Sequence, residues 1–426
     1  MGLFDFIRQL FGSPPDRSGQ AAAPDPVPEP PAPHEPPQKR RPVRLHPLRY
    51  PKRRPRTEYN IEEVPAPPYE LARYGAMTGH YFDMTQDTDA AQLSRHELPQ
   101  FATPLELAQW LEIPLGKLAW LTHRYNHSDG PEDVNESHYT YHWLPKRNGF
   151  RLIEAPRPFI KMAQQQIQQE ILSRIPMHHS AHGFVSGHSP VTNARPHAGK
   201  RVVLKFDLEN FYANVKFSRV VSIFRSLGYC REAALWLARL TTSAIPANLP
   251  FPDGTLRPLL PYLSRHLPQG APTSPALANL SAYSLDVRLS GLARSFGADY
   301  TRYADDLTFS GSEAFLRSLK VFIPLVQQVI RSERFQVNLS KRRVIRNNQR
   351  QTVTGVVVNE HTNVSRKEFD RLKAILTNCI RQGPETQNRE QHPDFANHLR
   401  GKIAHVQQLN PNRGQRLLHL YEQIRW

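Results

Sequence analysis

Apolar positions in this chain fall into blocks of different period, and each block predicts an element. The first is MGLFDFIRQLF, where Leu3, Phe6, Ile7, Leu10 and Phe11 share one helical face. Such a face can dock on a partner, lie on a membrane surface or pack back on the protein. The globular body begins near Tyr69. There Leu105, Leu107, Trp110, Leu111, Leu115, Leu118 and Leu121 predict a helix-rich region running to about Tyr125. From Tyr139 to Pro156, aromatic and β-branched residues surround Asn148-Gly149, a hairpin turn signal. Ile160, Ala163, Ile167 and Ile171 return to helical spacing in a Gln-rich stretch. Val202 to Phe206 reads as a strand ending in Asp207. Thr301 to Ser310 reads as strand, turn, strand, and Val353 to Val358 as a short strand. Three helical apolar sets close the chain: Phe369 to Cys379, Phe395 to Leu409, and Leu417 to Ile424. There is no internal repeat, and helices and strands mix without regular alternation, so the fold class is α+β.

Composition changes this picture at the N-terminus. Residues 1–70 hold 17 of the 39 prolines of the 426-residue chain, and the stretch from Ala21 to Pro37 has little to bury. It reads as extended and disordered. Charge adds a direction. The 55 Lys+Arg against 38 Asp+Glu give a net +17, which favours polyanionic partners. Lys39, Arg40, Arg41, Arg44, Arg49, Lys52, Arg53, Arg54 and Arg56 supply +9 of it in one run without an acid. They form a candidate RNA-binding arm, since mobile cations release counterions from phosphates. The plainer reading is a solvated basic tail. Two cysteines, Cys230 and Cys379, exclude a disulfide framework and a four-cysteine metal site. They fit a reducing, cytoplasmic setting. No apolar run is long enough to span a membrane, and no cationic leader marks a signal peptide. Phe6 stands where myristoylation needs Ser or Thr.

Three strings carry chemistry. Tyr303-Ala304-Asp305-Asp306-Leu307 places two carboxylates in a turn between apolar flanks. Their repulsion can be offset by a divalent cation, although a solvated turn is the commoner meaning of such a pair. Phe206-Asp207-Leu208-Glu209-Asn210-Phe211-Tyr212 sets a third carboxylate at the end of an apolar strand. Carboxylates from two strand ends can hold two Mg²⁺ ions that align a 3′-oxygen and neutralise a breaking triphosphate. Leu267-Pro268-Gln269-Gly270-Ala271-Pro272-Thr273-Ser274-Pro275 is a turn that admits close approach to a flat ligand. Each alone can be structural; the three in this order are a strong joint signal.

That order resembles the palm of a reverse transcriptase over residues 139–426. GFRLIEAP, with Ile160-Lys161-Met162 after it, is similar to bacterial reverse transcriptase fingers. Asn338-Leu339-Ser340-Lys341 resembles the motif after the catalytic hairpin, and Gly401-Lys402-Ile403 with Asn410-Pro411 a short thumb. Asn193-Ala194-Arg195-Pro196-His197 and Val353-Thr354-Gly355 resemble the NAxxH and VTG signatures of retron reverse transcriptases.

The resemblance implies a right-hand polymerase. Its expected parts are a disordered extension over 1–68, fingers and palm over 69–360 and a helical thumb over 361–426. It implies Asp207, Asp305 and Asp306 as catalytic metal ligands, with the Leu208 carbonyl beside them and two Mg²⁺ as cofactors. Tyr212 would be a steric gate against the ribose 2′-hydroxyl, and Gln269 and Gly270 would line the nucleotide and template pocket. Arg151 would meet the triphosphate, with Lys341 and Lys161 as further phosphate contacts or plain surface lysines. Asn193 would touch RNA, and His197 is a candidate RNA contact for which a core, structural role is the favoured reading, because nothing beside it suggests metal ligation. The implied partners are dNTPs, a structured noncoding RNA serving as template and primer, the single-stranded DNA product and an accessory effector. The implied product is branched RNA–DNA made in antiphage defence.

The long extension lies outside the family pattern, and no RNase H or endonuclease domain is expected after the thumb. Two rivals are weighed. A group II intron or diversity-generating reverse transcriptase would carry a longer maturase region or an altered Gln-Gly, and Gln269-Gly270 is intact. A catalytically silent RNA-binding protein with a palm fold fits poorly with three retained carboxylates.

Overall fold

The computed structural model describes residues 66–426 except Ala76, 123–129, 147–148, Ala247, Asp253 and 255–258. The N-terminal apolar block and the run from Lys39 to Arg56 therefore lie outside the described residues. β1 (Arg73–Gly75) and β2 (His80–Phe82) form a small antiparallel pair. β3 (Tyr139–Lys146) and β4 (Gly149–Pro156) form a longer hairpin where the Asn-Gly signal puts one, but Lys146 pairs with Gly149, so Gly149 opens β4 instead of lying in the turn. β5 (Val202–Asp207), β6 (Ala298–Tyr303), β7 (Asp306–Gly311) and β8 (Arg343–Arg346) make the central sheet. Its order is β6-β7-β5-β8, antiparallel throughout.

β5 reads as a continuous apolar run because both its faces are covered. Val202, Leu204 and Phe206 point into one core and Val203 into another, the alternation of a strand. The first core is strongly aromatic. The Phe309 ring stacks on Tyr300 at 4.8 Å and meets Phe206 and Phe322 edge-on at 6.0 and 5.1 Å. Phe322 comes from the helix Glu313–Ser332, which with Tyr283–Ser295 backs this face. The second core joins Val203 to Val191, Ala194, Val353 and Val356. It also takes in Leu372, Leu399 and Leu417 from the helices Arg366–Gln382, Phe395–Leu409 and Pro411–Tyr421.

The helix-rich region resolves into Ala90–Arg95, Pro104–Trp110 and Leu115–Leu121; the second is opened by a capping box between Thr103 and Glu106. The helix Pro158–Glu170 buries Ile160, Ala163 and Ile167 as their spacing requires. One element differs. Val353–Val358 is not a single strand but a tight hairpin of β9 (Thr352–Val353) and β10 (Val356–Val357). Thr354 and Gly355 both take positive φ, 45° and 85°, and reverse the chain within two residues. Among the described residues no helix is long and apolar enough to cross a membrane.

Candidate active site

Two strand ends bring the carboxylates together. The β5–β7 register sets Asp207 opposite Asp306. One residue on, the Leu208 N–H donates to the Asp305 carbonyl at 2.9 Å and ties the strand end to the turn. Asp207 is buried, and Asp305 and Asp306 are half-buried.

The turn carrying Asp305 is strained and braced. Tyr303 pairs with Asp306, leaving Ala304 and Asp305 at the bend, and Ala304 has φ of 54°. That conformation favours glycine, and Ala304 holds it because its neighbours fix it. The fully buried Arg302 donates from Nη1 to the Ala304 carbonyl at 3.1 Å and to Asn279 Oδ1 at 2.8 Å. Its other face forks onto Asp286, Nε to Oδ1 at 2.8 Å and Nη2 to Oδ2 at 2.6 Å. Behind the turn, a Cβ on Gly183 would stand 2.6 Å from the Ala304 nitrogen, so only glycine fits that close.

The charge of the cluster is under-compensated. Burial, with the Asp207 charge adding to it, pushes the Asp305 carboxyl above the usual carboxylate range. Burial does the same to Asp306 against the pull of Lys205, and Asp207 again adds to the rise. Lys341 Nζ donates to Asp207 Oδ2 at 2.8 Å, and this bond raises the Lys341 ammonium above its ordinary value. Among the described residues no three acidic, His or Cys side chains are gathered closely enough to hold one ion. The donor set still fits a hard divalent cation: crowded carboxylate oxygens whose mutual repulsion such an ion relieves.

Arg151 on β4 is near enough to Lys146 and Tyr212 to act on their charges, and the Gln269 turn packs against the same strand. Glu154 N–H on β4 donates to the Gln269 carbonyl at 2.9 Å, and a Cβ on Gly270 would lie 2.7 Å from the Glu154 carbonyl. Burial pushes the Tyr212 phenol up to about 12, with Asp305 raising it further and Arg151 opposing. Tyr212 is half-buried against Phe211, their ring centres 5.6 Å apart.

Sequence comparisons agree with this geometry. A family model for reverse transcriptase (RNA-dependent DNA polymerase) matches residues 144–360. The Retron Mx65 reverse transcriptase of Myxococcus xanthus is 41% identical over 332 residues, covering 77% of this chain and 73% of that one. The chain belongs to the retron reverse transcriptases. The Retron Mx162 enzyme of the same organism is 36% identical, over 73% of this chain and 65% of that one. The Retron Ec86 enzyme of Escherichia coli is 31% identical, over 56% and 68%. As a member, this retron reverse transcriptase is an RNA-directed DNA polymerase with a right-hand polymerase fold.

Not every expected site residue joins the cluster. Asn193, expected to touch RNA, is buried, and His197 takes the core role favoured over an RNA contact. His197 bonds through its two ring nitrogens to Ser310 Oγ at 2.7 Å and Thr301 Oγ1 at 2.8 Å. Asn193 Nδ2 reaches Thr354 Oγ1 at 3.5 Å, and the Asn193 backbone carbonyl accepts from Thr301 Oγ1. The two signature strings therefore weld the sheet to the C-terminal helices, and neither side chain is presented to RNA in this structure. Lys161 is an exposed lysine on the helix Pro158–Glu170. Three participants were missed. Lys146 feels Arg151, Lys341, Asp305 and Asp207, and partial desolvation, ahead of the two cations, lowers its ammonium. Arg302 and Asp286 were missed too, although an arginine between Thr301 and Tyr303, beside the carboxylates, is a readable sign of a buried partner.

Proposed function

We propose that this retron reverse transcriptase copies part of a structured noncoding RNA into single-stranded DNA at the cluster of Asp207, Asp305 and Asp306. The observation that carries this reading is the register placing Asp207 opposite Asp306, with Asp305 tied to the same strand end through Leu208. In this assignment the β3–β4 hairpin belongs to the fingers, the four-stranded sheet is the palm, and the helices after residue 361 form the thumb.

The three carboxylates and the Leu208 carbonyl would hold two Mg²⁺ ions, which supply charge neutralisation for nucleotidyl transfer. The rest is done by this chain's own groups. Arg151 offers a planar guanidinium to the triphosphate, with Lys146 and Lys341 adding charge beside it. Tyr212 excludes the ribose 2′-hydroxyl. Gln269 and Gly270 bound the base and template side. Lys341 donates to Asp207 and offsets part of the cluster's charge. The run Lys39–Arg56 binds the RNA backbone. The relatives are retron enzymes, which supports priming on the RNA itself, a branched RNA–DNA product and work beside an accessory effector in defence.

Nucleic acid recovered with the protein from its host tests the branched product. RNase followed by a debranching enzyme should shift its mobility in two separate steps. A sample wholly digested by RNase, or wholly resistant to it, would contradict a branched product.

A further inference from the structure

The β3–β4 hairpin carries Arg151, and the Gln269 turn belongs to a different part of the chain. Something must hold the two in register. Glu154 and His266 are both completely buried, and Glu154 Oε2 lies 2.8 Å from His266 Nε2. The histidine's Nδ1 lies 2.9 Å from the Ser264 carbonyl, an acceptor only, so Nδ1 carries a proton. A second proton then lies between Nε2 and the carboxylate, and the pair is neutral overall. Glu154 Oε1 has no hydrogen-bond partner among the described residues. A buried carboxyl with one oxygen unpaired is a costly choice for a site that needed only packing.

The backbone at both ends explains where this grip acts. His266 is fixed to the body: it exchanges backbone bonds with Ser243 at 2.8 and 2.9 Å, and the next residue, Leu267, donates to the Val215 carbonyl at 3.1 Å. Three residues after His266 comes Gln269. Three residues before Glu154 on β4 comes Arg151. The Glu154 N–H bond to the Gln269 carbonyl and the close fit of Gly270 place the two segments in direct contact.

We infer that Glu154 and His266 are positioning residues that lock the hairpin bearing Arg151 to the turn bearing Gln269 and so set the geometry of the incoming nucleotide. The inference rests on the polymerase reading of Arg151 and Gln269. Neither residue touches the carboxylate cluster, so the pair acts on nucleotide binding more than on the chemical step.

The test is steady-state primer extension on an annealed RNA template and DNA primer with varied dNTP. Removing one partner strands the other in the core, so the informative variant is the double substitution Glu154→Leu with His266→Leu. Replacing both members of a buried pair by apolar residues is often neutral or stabilising. This variant should melt within a few degrees of the wild type and bind template–primer with unchanged affinity. Its KM for dNTP should rise about tenfold with kcat reduced less than threefold. Glu154→Gln, whose amide can donate to a neutral His266 Nε2, should keep KM within about twofold of wild type. A double variant with wild-type KM for dNTP would overturn the inference. So would one whose dNTP and template–primer affinities fall together, or one that does not fold, since each means packing alone. A wild-type protein that cannot extend the primer would instead overturn the polymerase reading.

Discussion

Lys341 donates its ammonium to Asp207 across 134 residues of sequence, at 2.8 Å. The bond sets a cation on the most buried member of a carboxylate cluster, where a metal ion would compete for the same oxygens. Lys341 is itself more than half exposed, so the bond contributes at most about 1 kcal/mol. Lys341→Met should lower the melting temperature slightly without divalent ions. Added Mg²⁺ should raise it further in the variant than in the wild type. An equal Mg²⁺ response in both proteins would show that Lys341 and the ion do not compete.

Tyr212 discriminates by bulk in this account. Tyr212→Phe should keep the preference for deoxynucleotides, and Tyr212→Ala should relax it. Single-nucleotide incorporation of matched dNTPs and rNTPs measures this. A proportional loss on both substrates, with about 3–5 kcal/mol lost in stability, would make Tyr212 a packing residue only.

His197 gives the fold a pH dependence. Burial, with Lys200 and His182 adding to it, holds its imidazole down to about 3. The unfolded chain takes up this proton near pH 6.5 and the folded one does not, so the contribution is complete above pH 6.5 and is lost as pH falls toward 3. By pH 5 the loss should be about 2 kcal/mol. His197→Gln should flatten the fall in melting temperature between pH 7 and pH 5. Parallel curves for the two proteins would contradict this origin.

The carboxylate-bearing strand ends were legible in the sequence because burial and charge coincide there. Val202 to Phe206 has no polar interruption but Lys205, so Asp207 marks its end, and the paired Asp305 and Asp306 could only be a turn. The hairpin near Asn148-Gly149 was legible from a local turn signal, though its register was not: Gly149 opens β4. Two-sided packing was not. Asn193 looks like a free polar group in sequence, and a core role for His197 can be read there without its partners; those partners, Thr354, Ser310 and Thr301, lie more than 100 residues away. The same distance hid the Glu154–His266 pair. β8 escaped notice because Arg343–Arg346 is an edge strand, largely exposed and charged, with no apolar period to read.

The basic run from Lys39 to Arg56 should act through phosphates. Deleting residues 1–56 should weaken RNA binding most at low salt and reduce the slope of log affinity against log salt. Extension of a pre-annealed primer should persist. An unchanged slope would mean that this run does not touch nucleic acid.

The central claim is that Asp207, Asp305 and Asp306 hold the catalytic ions, and primer extension with Mg²⁺ by Asp305→Asn with Asp306→Asn tests it most directly. The account predicts no detectable DNA synthesis by a protein that melts and binds RNA as the wild type does. Synthesis near the wild-type rate would contradict it.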